Sequence, residues 1–210
     1  MKKVLIFLID GYADWEPALI AAELNKPAVG FVVKTVALDK QPKKSMGGFS
    51  VLPDYAIDEP VFQENNVAML IIIGGTGWHE AKNQKATMLV DAAIERNIPV
   101  AAICDGVTFL AEHGYLDAVK HTGNTLAYLS KKAPNYKGQK FFEERQAVTD
   151  GDFITANGTG QLELAREILS RLGVTPNVEH VRDILENLNI ELDDNVAGWF
   201  AVWKRGLYSQ

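Results

Sequence analysis

Three nearly unbroken apolar runs, residues 4–9, 68–73 and 99–103, constrain this chain more than any other feature. Each is followed by turn residues and then by apolar residues at helical spacing. Strands that are apolar on both faces must be covered on both faces, and strands that alternate with helices pair in parallel. The runs therefore predict an α/β fold with a mostly parallel sheet. Residues 31–38 supply another strand after the first helix, so the chain opens with a right-handed βαβ unit.

The helices follow from spacing. Asp14 is placed to cap a helix that turns Leu19, Ile20 and Leu24 inward, with Pro17 tolerated in its first turn. Met88, Leu89, Ala92, Ala93 and Ile94 form the apolar face of a second helix, which stops before Pro99. From Asp105 a third carries Val107, Leu110 and Ala111 as far as Gly114. A fourth presents Leu162, Ala165, Ile168, Leu169 and Leu172 and ends at Gly173. Residues 45–52 read as a short strand, and residues 146–149 and 153–156 as a hairpin joined by Asp150-Gly151. The lysine-rich stretch 130–142 is weakly periodic and reads as a mobile connection.

This organisation gives a domain over residues 1–172 and a C-terminal extension over 173–210. The extension carries an amphipathic helix through Val181, Leu185 and Leu188, then Trp199, Phe200, Val202, Trp203 and Tyr208. That much apolar surface packs on the domain or forms a subunit contact.

Charge and cysteine usage narrow the function. A net charge of −6 argues against a nucleic-acid partner, which needs clustered Lys and Arg; Lys40, Lys43 and Lys44 are too short a run. No stretch reaches the roughly 18 apolar residues of a membrane span, and the first apolar run ends at Asp10-Gly11, too early for a signal peptide. A single cysteine excludes an internal disulfide and fits reducing, cytoplasmic conditions.

That cysteine is the centre of the candidate chemistry. In Val100-Ala101-Ala102-Ile103-Cys104-Asp105-Gly106 a buried strand ends at the thiol and a helix starts directly after it. Ligands of open α/β sheets bind at this edge, and a helix N-terminus favours an anion, including a thiolate, so Cys104 could be substantially ionised near neutrality. The competing reading makes Cys104 a small buried hydrophobe. Ile72-Ile73-Gly74-Gly75-Thr76-Gly77 ends another strand in a loop whose amides, with the Asp105 N–H, can form an oxyanion hole. Glu16 follows the first strand over the same edge, and beside Cys104 it must be protonated or hydrogen-bonded to sulfur. His79, His113 and His180 have no metal-binding spacing, so neither a metal nor another cofactor is expected.

Taken together, Glu16, Gly74-Gly75, the elbow Ala102-Ile103-Cys104-Asp105-Gly106 and the late hairpin running to Asn157-Gly158 resemble the ThiJ/PfpI superfamily, relatives of class I glutamine amidotransferase domains. The resemblance implies a flavodoxin-like three-layer sandwich, a nucleophilic or oxidisable cysteine, a small-molecule substrate and a homodimer. It assigns Cys104 as nucleophile, Glu16 as its carboxyl partner, and the amides of Gly75 and Asp105 as oxyanion donors; Gly74, Thr76, His121 and Asn124 are candidate pocket residues, with an ordinary surface or hydrogen-bonded histidine the competing reading of His121. Members that look like peptidases place histidine directly after the cysteine, where this chain has Asp105, a poor base near neutrality. Another family histidine aligns with Asn124, with His121 three residues earlier, and the arginine of the late motif is replaced by Asn157.

Three functions compete on these residues. Cys104 attacks a small carbonyl compound in a hydrolase- or amidase-like reaction, or it is oxidised as a redox sensor, or the scaffold binds without chemistry.

Overall fold

The computed structural model describes residues 1–62 and 66–174. Nine strands and five α-helices appear in them: β1 Lys2–Phe7, α1 Trp15–Leu24, β2 Phe31–Ala37, β3 Lys43–Lys44, β4 Ser50–Val51, β5 Tyr55–Ala56, β6 Val67–Ile72, α2 Thr87–Ile94, β7 Val100–Ile103, α3 Asp105–Glu112, α4 Leu126–Lys132, β8 Ala147–Asp150, β9 Phe153–Ala156 and α5 Gln161–Arg171. The apolar runs become the central strands β1, β6 and β7, and their side chains form the middle of the core, with Leu5, Phe7, Leu70, Ile72 and Ile103 fully buried.

Seven strands form one sheet in the order β5-β2-β1-β6-β7-β9-β8. All pairings are parallel except β8 against β9. The chain steps outward from β1 to β2, then returns to β6 on the other side of β1. Right-handed crossovers on either side of that reversal put α1 and α2 on opposite faces, which gives the three-layer, flavodoxin-like sandwich. α5 packs beside α1, and α3 packs on β7. The crevice at the reversal opens at the carboxyl ends of β1, β6 and β7, the strands that lead to Glu16, Gly74 and Cys104.

Several local expectations change. Asp14 precedes α1 but makes no side-chain cap; its Oδ2 accepts from Gly47 N at 2.6 Å, because the folded hairpin offers a closer donor than the helix turn does. The strand read over residues 45–52 is a two-residue-per-arm hairpin, β3 with β4, whose tip exposes Phe49. Met88 and Ile94 lie exposed, while Leu89, Val90 and Ala93 carry the buried face of α2. The stretch 130–142 is built rather than loose: Ala133 and Tyr136 are buried, and a 3-10 turn covers Gln139–Phe141. Its weak periodicity reflects short elements anchored one residue at a time. The hairpin of β8 and β9 forms, with register Asp150↔Phe153, so Gly151 and Asp152 make the turn and Gly151 takes φ 56°. The helix and aromatic cluster expected at Val181, Leu185, Leu188, Trp199, Phe200, Val202, Trp203 and Tyr208 lie outside the described residues. Among the described residues no helix is long and apolar enough to cross a membrane.

Candidate active site

Strand order brings the site together. β6 lies between β1 and β7, so its glycine loop separates the acid that follows β1 from the thiol that follows β7. Backbone hydrogen bonds lace these loops: Ala13 N donates to Gly74 O at 3.1 Å and Thr76 N to Gly11 O at 3.0 Å. Cys104 N donates to Ala156 O at 3.1 Å, tying the thiol's turn to β9.

Cys104 has φ 56° and ψ −124°, a left-handed conformation costly for a residue with a side chain. Among the described non-glycine residues only Asn97 shares a positive φ. A sharp strand-to-helix turn demands it, and the turn closes because residue 106 is glycine: a Cβ there would fall 2.3 Å from Ile72 O. Such a turn lifts a nucleophile clear of the sheet.

Gly74 performs the same service between the reacting groups. A Cβ on it would lie 2.8 Å from Cys104 Cβ and 2.8 Å from Glu16 Oε1, so thiol and carboxyl approach only across a glycine. Gly74 N donates to Glu16 Oε2 at 2.5 Å. Glu16 is 1% exposed, and Oε1 is buried with no hydrogen-bond partner inside ordinary limits. The thiol still favours the ionised carboxyl, so the two groups are neighbours in reach of one proton rather than a closed hydrogen bond.

Burial pushes the Glu16 carboxyl up to about 7, against the pull of the Gly74 amide and the thiol, with the Asp105 charge adding to the rise. Burial also pushes the Cys104 thiol up to about 11; Asn124 and the Asp105 N–H oppose this, and the charges of Glu16 and Asp105 reinforce it. Loss of water and two neighbouring carboxyls thus act against the thiolate that the helix N-terminus was expected to favour.

Asn124 donates from Nδ2 to Cys104 Sγ at 3.5 Å, while its Oδ1 accepts from Gly158 N at 2.8 Å. An amide thus stands where the resemblance expects an imidazole. His121 is elsewhere engaged: fully buried, with one ring nitrogen 2.7 Å from Val119 O and the other 2.5 Å from Tyr136 OH. Neither nitrogen is free to serve the thiol.

Two clefts flank the half-buried sulfur, and the sulfur lies in the wall of neither. One, of about 420 Å³, is lined by Gly75, Thr76, Asp105, Thr108, Tyr128 and neighbours. No described residue accepts from Gly75 N–H, and the N–H of Asp105, at the first position of α3, has no intrahelical partner, so the expected oxyanion donors border one space. The other, of about 370 Å³, is lined by Asn124, Arg145, Asn157 and neighbours. Asn157 Oδ1 accepts from Thr159 N at 2.9 Å. Among the described residues no group of three His, Cys, Asp or Glu side chains converges as a metal site would require.

The sequence reading assigned no role to Tyr128, whose hydroxyl donates to Asp105 Oδ1 at 2.9 Å, and named Gly158 only within the late motif, where its N–H fixes Asn124. The Thr125 cap of α4 was the available signal for Tyr128, since it places a helix over the start of α3.

Comparison with known proteins agrees with this architecture. Residues 2–171 match the family described as "DJ-1/PfpI family". Two curated relatives come from Bacillus subtilis (strain 168). "Uncharacterized protease YdeA" is 42% identical over 173 residues, covering 82% of this chain and 84% of the relative. "Uncharacterized protease YoaZ" is 36% identical over 179 residues, with the same coverage. The solved "thiJ/pfpI family protein from Bacillus anthracis" superposes with a TM-score of 0.79 at 33% identity, over 98% of this chain and 97% of that one.

Proposed function

Because the chain belongs to the DJ-1/PfpI family, we propose that it is a cysteine-dependent enzyme acting on small carbonyl compounds, with Cys104 as nucleophile and Glu16 as the group that takes its proton. The observation that carries this reading is the approach of Glu16 Oε1 and Cys104 across Gly74. A buried carboxyl with a value near 7 is matched to general-base work at neutral pH. As Sγ adds to the carbonyl carbon, the thiol proton passes to the Glu16 carboxylate, and the carbonyl electron pair moves onto oxygen facing the Gly75 and Asp105 amides. Asn124 holds the sulfur in place through its amide. The two relatives are named as proteases; in this chain the residue after the cysteine is an aspartate already bonded to Tyr128, which favours small substrates over peptides.

Alkylation by iodoacetamide, followed against pH, tests the dyad. Wild type should react faster as pH rises through about 7, where Glu16 ionises, whereas Glu16→Gln should lose that rise and react only toward the thiol's own alkaline range. Superimposable profiles would remove Glu16 from the mechanism, and turnover surviving Cys104→Ala would remove the enzyme reading. A redox role is the second reading, favoured by the unpartnered Glu16 Oε1, which can bond an oxygen added to sulfur. Graded peroxide with mass readout separates it: oxidation no faster than that of a free thiol rejects it.

A second copy of this chain is the partner proposed for the exposed apolar face formed by Trp15, Met46, Phe49 and Leu52.

A further inference from the structure

The cleft on the Asp105 side holds a carboxylate that the reaction above does not use. Asp105 Oδ1 accepts from Tyr128 OH at 2.9 Å and from Thr108 Oγ1 at 3.3 Å. Oδ2 takes no hydrogen bond from any described residue and is not sealed in the interior. Asp105 forms no ion pair among the described residues. The other charged and titratable groups lining the cleft leave its charge in place. Both Glu112 oxygens accept from Asn135, at 2.6 Å and 3.1 Å. His79 binds Thr76 O, and His113, kept low by burial, binds Gln84. Lys132 is exposed, with its ammonium 6.0 Å from the Tyr128 ring centroid. Tyr128 is held up to about 12 by burial and by Asp105, so it stays a donor that orients the carboxylate without neutralising it. The same charge disfavours ionisation of both Cys104 and Glu16.

The N-terminus of α3 and two hydroxyls support the half-buried Asp105 carboxylate, and its free oxygen presents to the cleft a negative charge that a cationic group on a ligand would match. We propose that Asp105 is a specificity-determining residue that selects carbonyl substrates bearing a cationic amine, its Oδ2 receiving the ammonium while the carbonyl oxygen lies over the Gly75 and Asp105 amides. Tyr128, half-buried in the same cleft wall, offers aromatic surface to the carbons between amine and carbonyl. Binding and activation are then coupled: the arriving cation offsets the charge that opposes thiolate formation, so a correct substrate loosens the thiol proton and a neutral one does not.

This inference rests on the nucleophilic role of Cys104, and charge-matched methanethiosulfonates separate the two. In each reaction the Cys104 sulfur forms a disulfide with the reagent's outer sulfur, the S–SO2 bond breaks, methanesulfinate leaves with the electron pair, and the thiol proton goes to Glu16 or solvent. The chain has one cysteine, so the mass increase reports Cys104 alone. Rates for the 2-ammonioethyl, methyl and 2-sulfonatoethyl reagents are each divided by the rate with a small free thiol at low ionic strength. Wild type should favour the cation over the anion by about tenfold, the scale of one unit-charge contact at a partly solvated site. Asp105→Asn keeps the acceptor for Tyr128 and should cut the ratio severalfold, to the smaller preference left by Glu16, whereas Tyr128→Phe, which leaves the charge intact, should preserve it. An unchanged ratio in Asp105→Asn, or a wild-type preference for the anion, overturns the inference and leaves the nucleophile standing. Failure of all three reagents to label overturns both.

Discussion

At the scale of single residues, the site is governed by burial rather than by formal charge. Glu16 is the clearest case, because its folded value of about 7 lies above the ordinary carboxyl value of 4.5. A carboxyl raised on folding binds its proton more tightly in the native state, so its contribution to stability is complete below about 4.5 and is lost as pH rises through about 7. Glu16→Gln removes that loss. Urea unfolding should show the variant gaining on wild type between these pH values, by on the order of 3 kcal/mol at most for a shift of this size. Parallel stability curves would mean that the carboxyl is hydrated in the native state. Cys104 follows the same logic from the other side: the helix N-terminus and the carboxyls of Glu16 and Asp105 were legible influences, and the surrounding hydrocarbon, contributed by other segments, was not.

At the scale of elements, the turn from β7 into α3 is the device on which the thiol's exposure depends. Its demands are a left-handed Cys104 and a glycine at 106 packed against the β6 carbonyl of Ile72. Gly106→Ala forces a methyl to 2.3 Å from that oxygen, so strand and helix must separate. The expected cost is about 3 kcal/mol by overpacking, read as a lower denaturation midpoint together with slower alkylation of Cys104. A variant as stable as wild type would show that the turn has room to relax. The elements themselves were legible wherever a long period ran through them, as in β1, β6, β7 and α5. They were least legible over residues 130–142, where α4, a 3-10 turn and single buried anchors such as Tyr136 replace any repeating pattern.

At the scale of the whole molecule, one surface is more apolar than solvation alone favours. Phe49, 67% exposed, borders with Trp15 and Met46 a groove of about 990 Å³ that contains none of the groups around the thiol, and Leu52 is exposed just beyond it in sequence. Phe49→Glu should convert a dimer to monomer in sedimentation velocity without altering the circular dichroism spectrum, and an unchanged mass would assign pairing to another face. What the sequence by itself determined was the parallel α/β scaffold and the turns that carry Cys104, Glu16 and Gly74, because strand burial and turn chemistry are written in adjacent residues. Tertiary structure alone decided how far water is kept from the thiol, the hydrogen bonds that hold Asn124 between the sulfur and Gly158, the retirement of His121 into the core and the bond from Tyr128 to Asp105. Each of these depends on how far water is excluded and on distances between segments remote in the chain, which residue order does not contain.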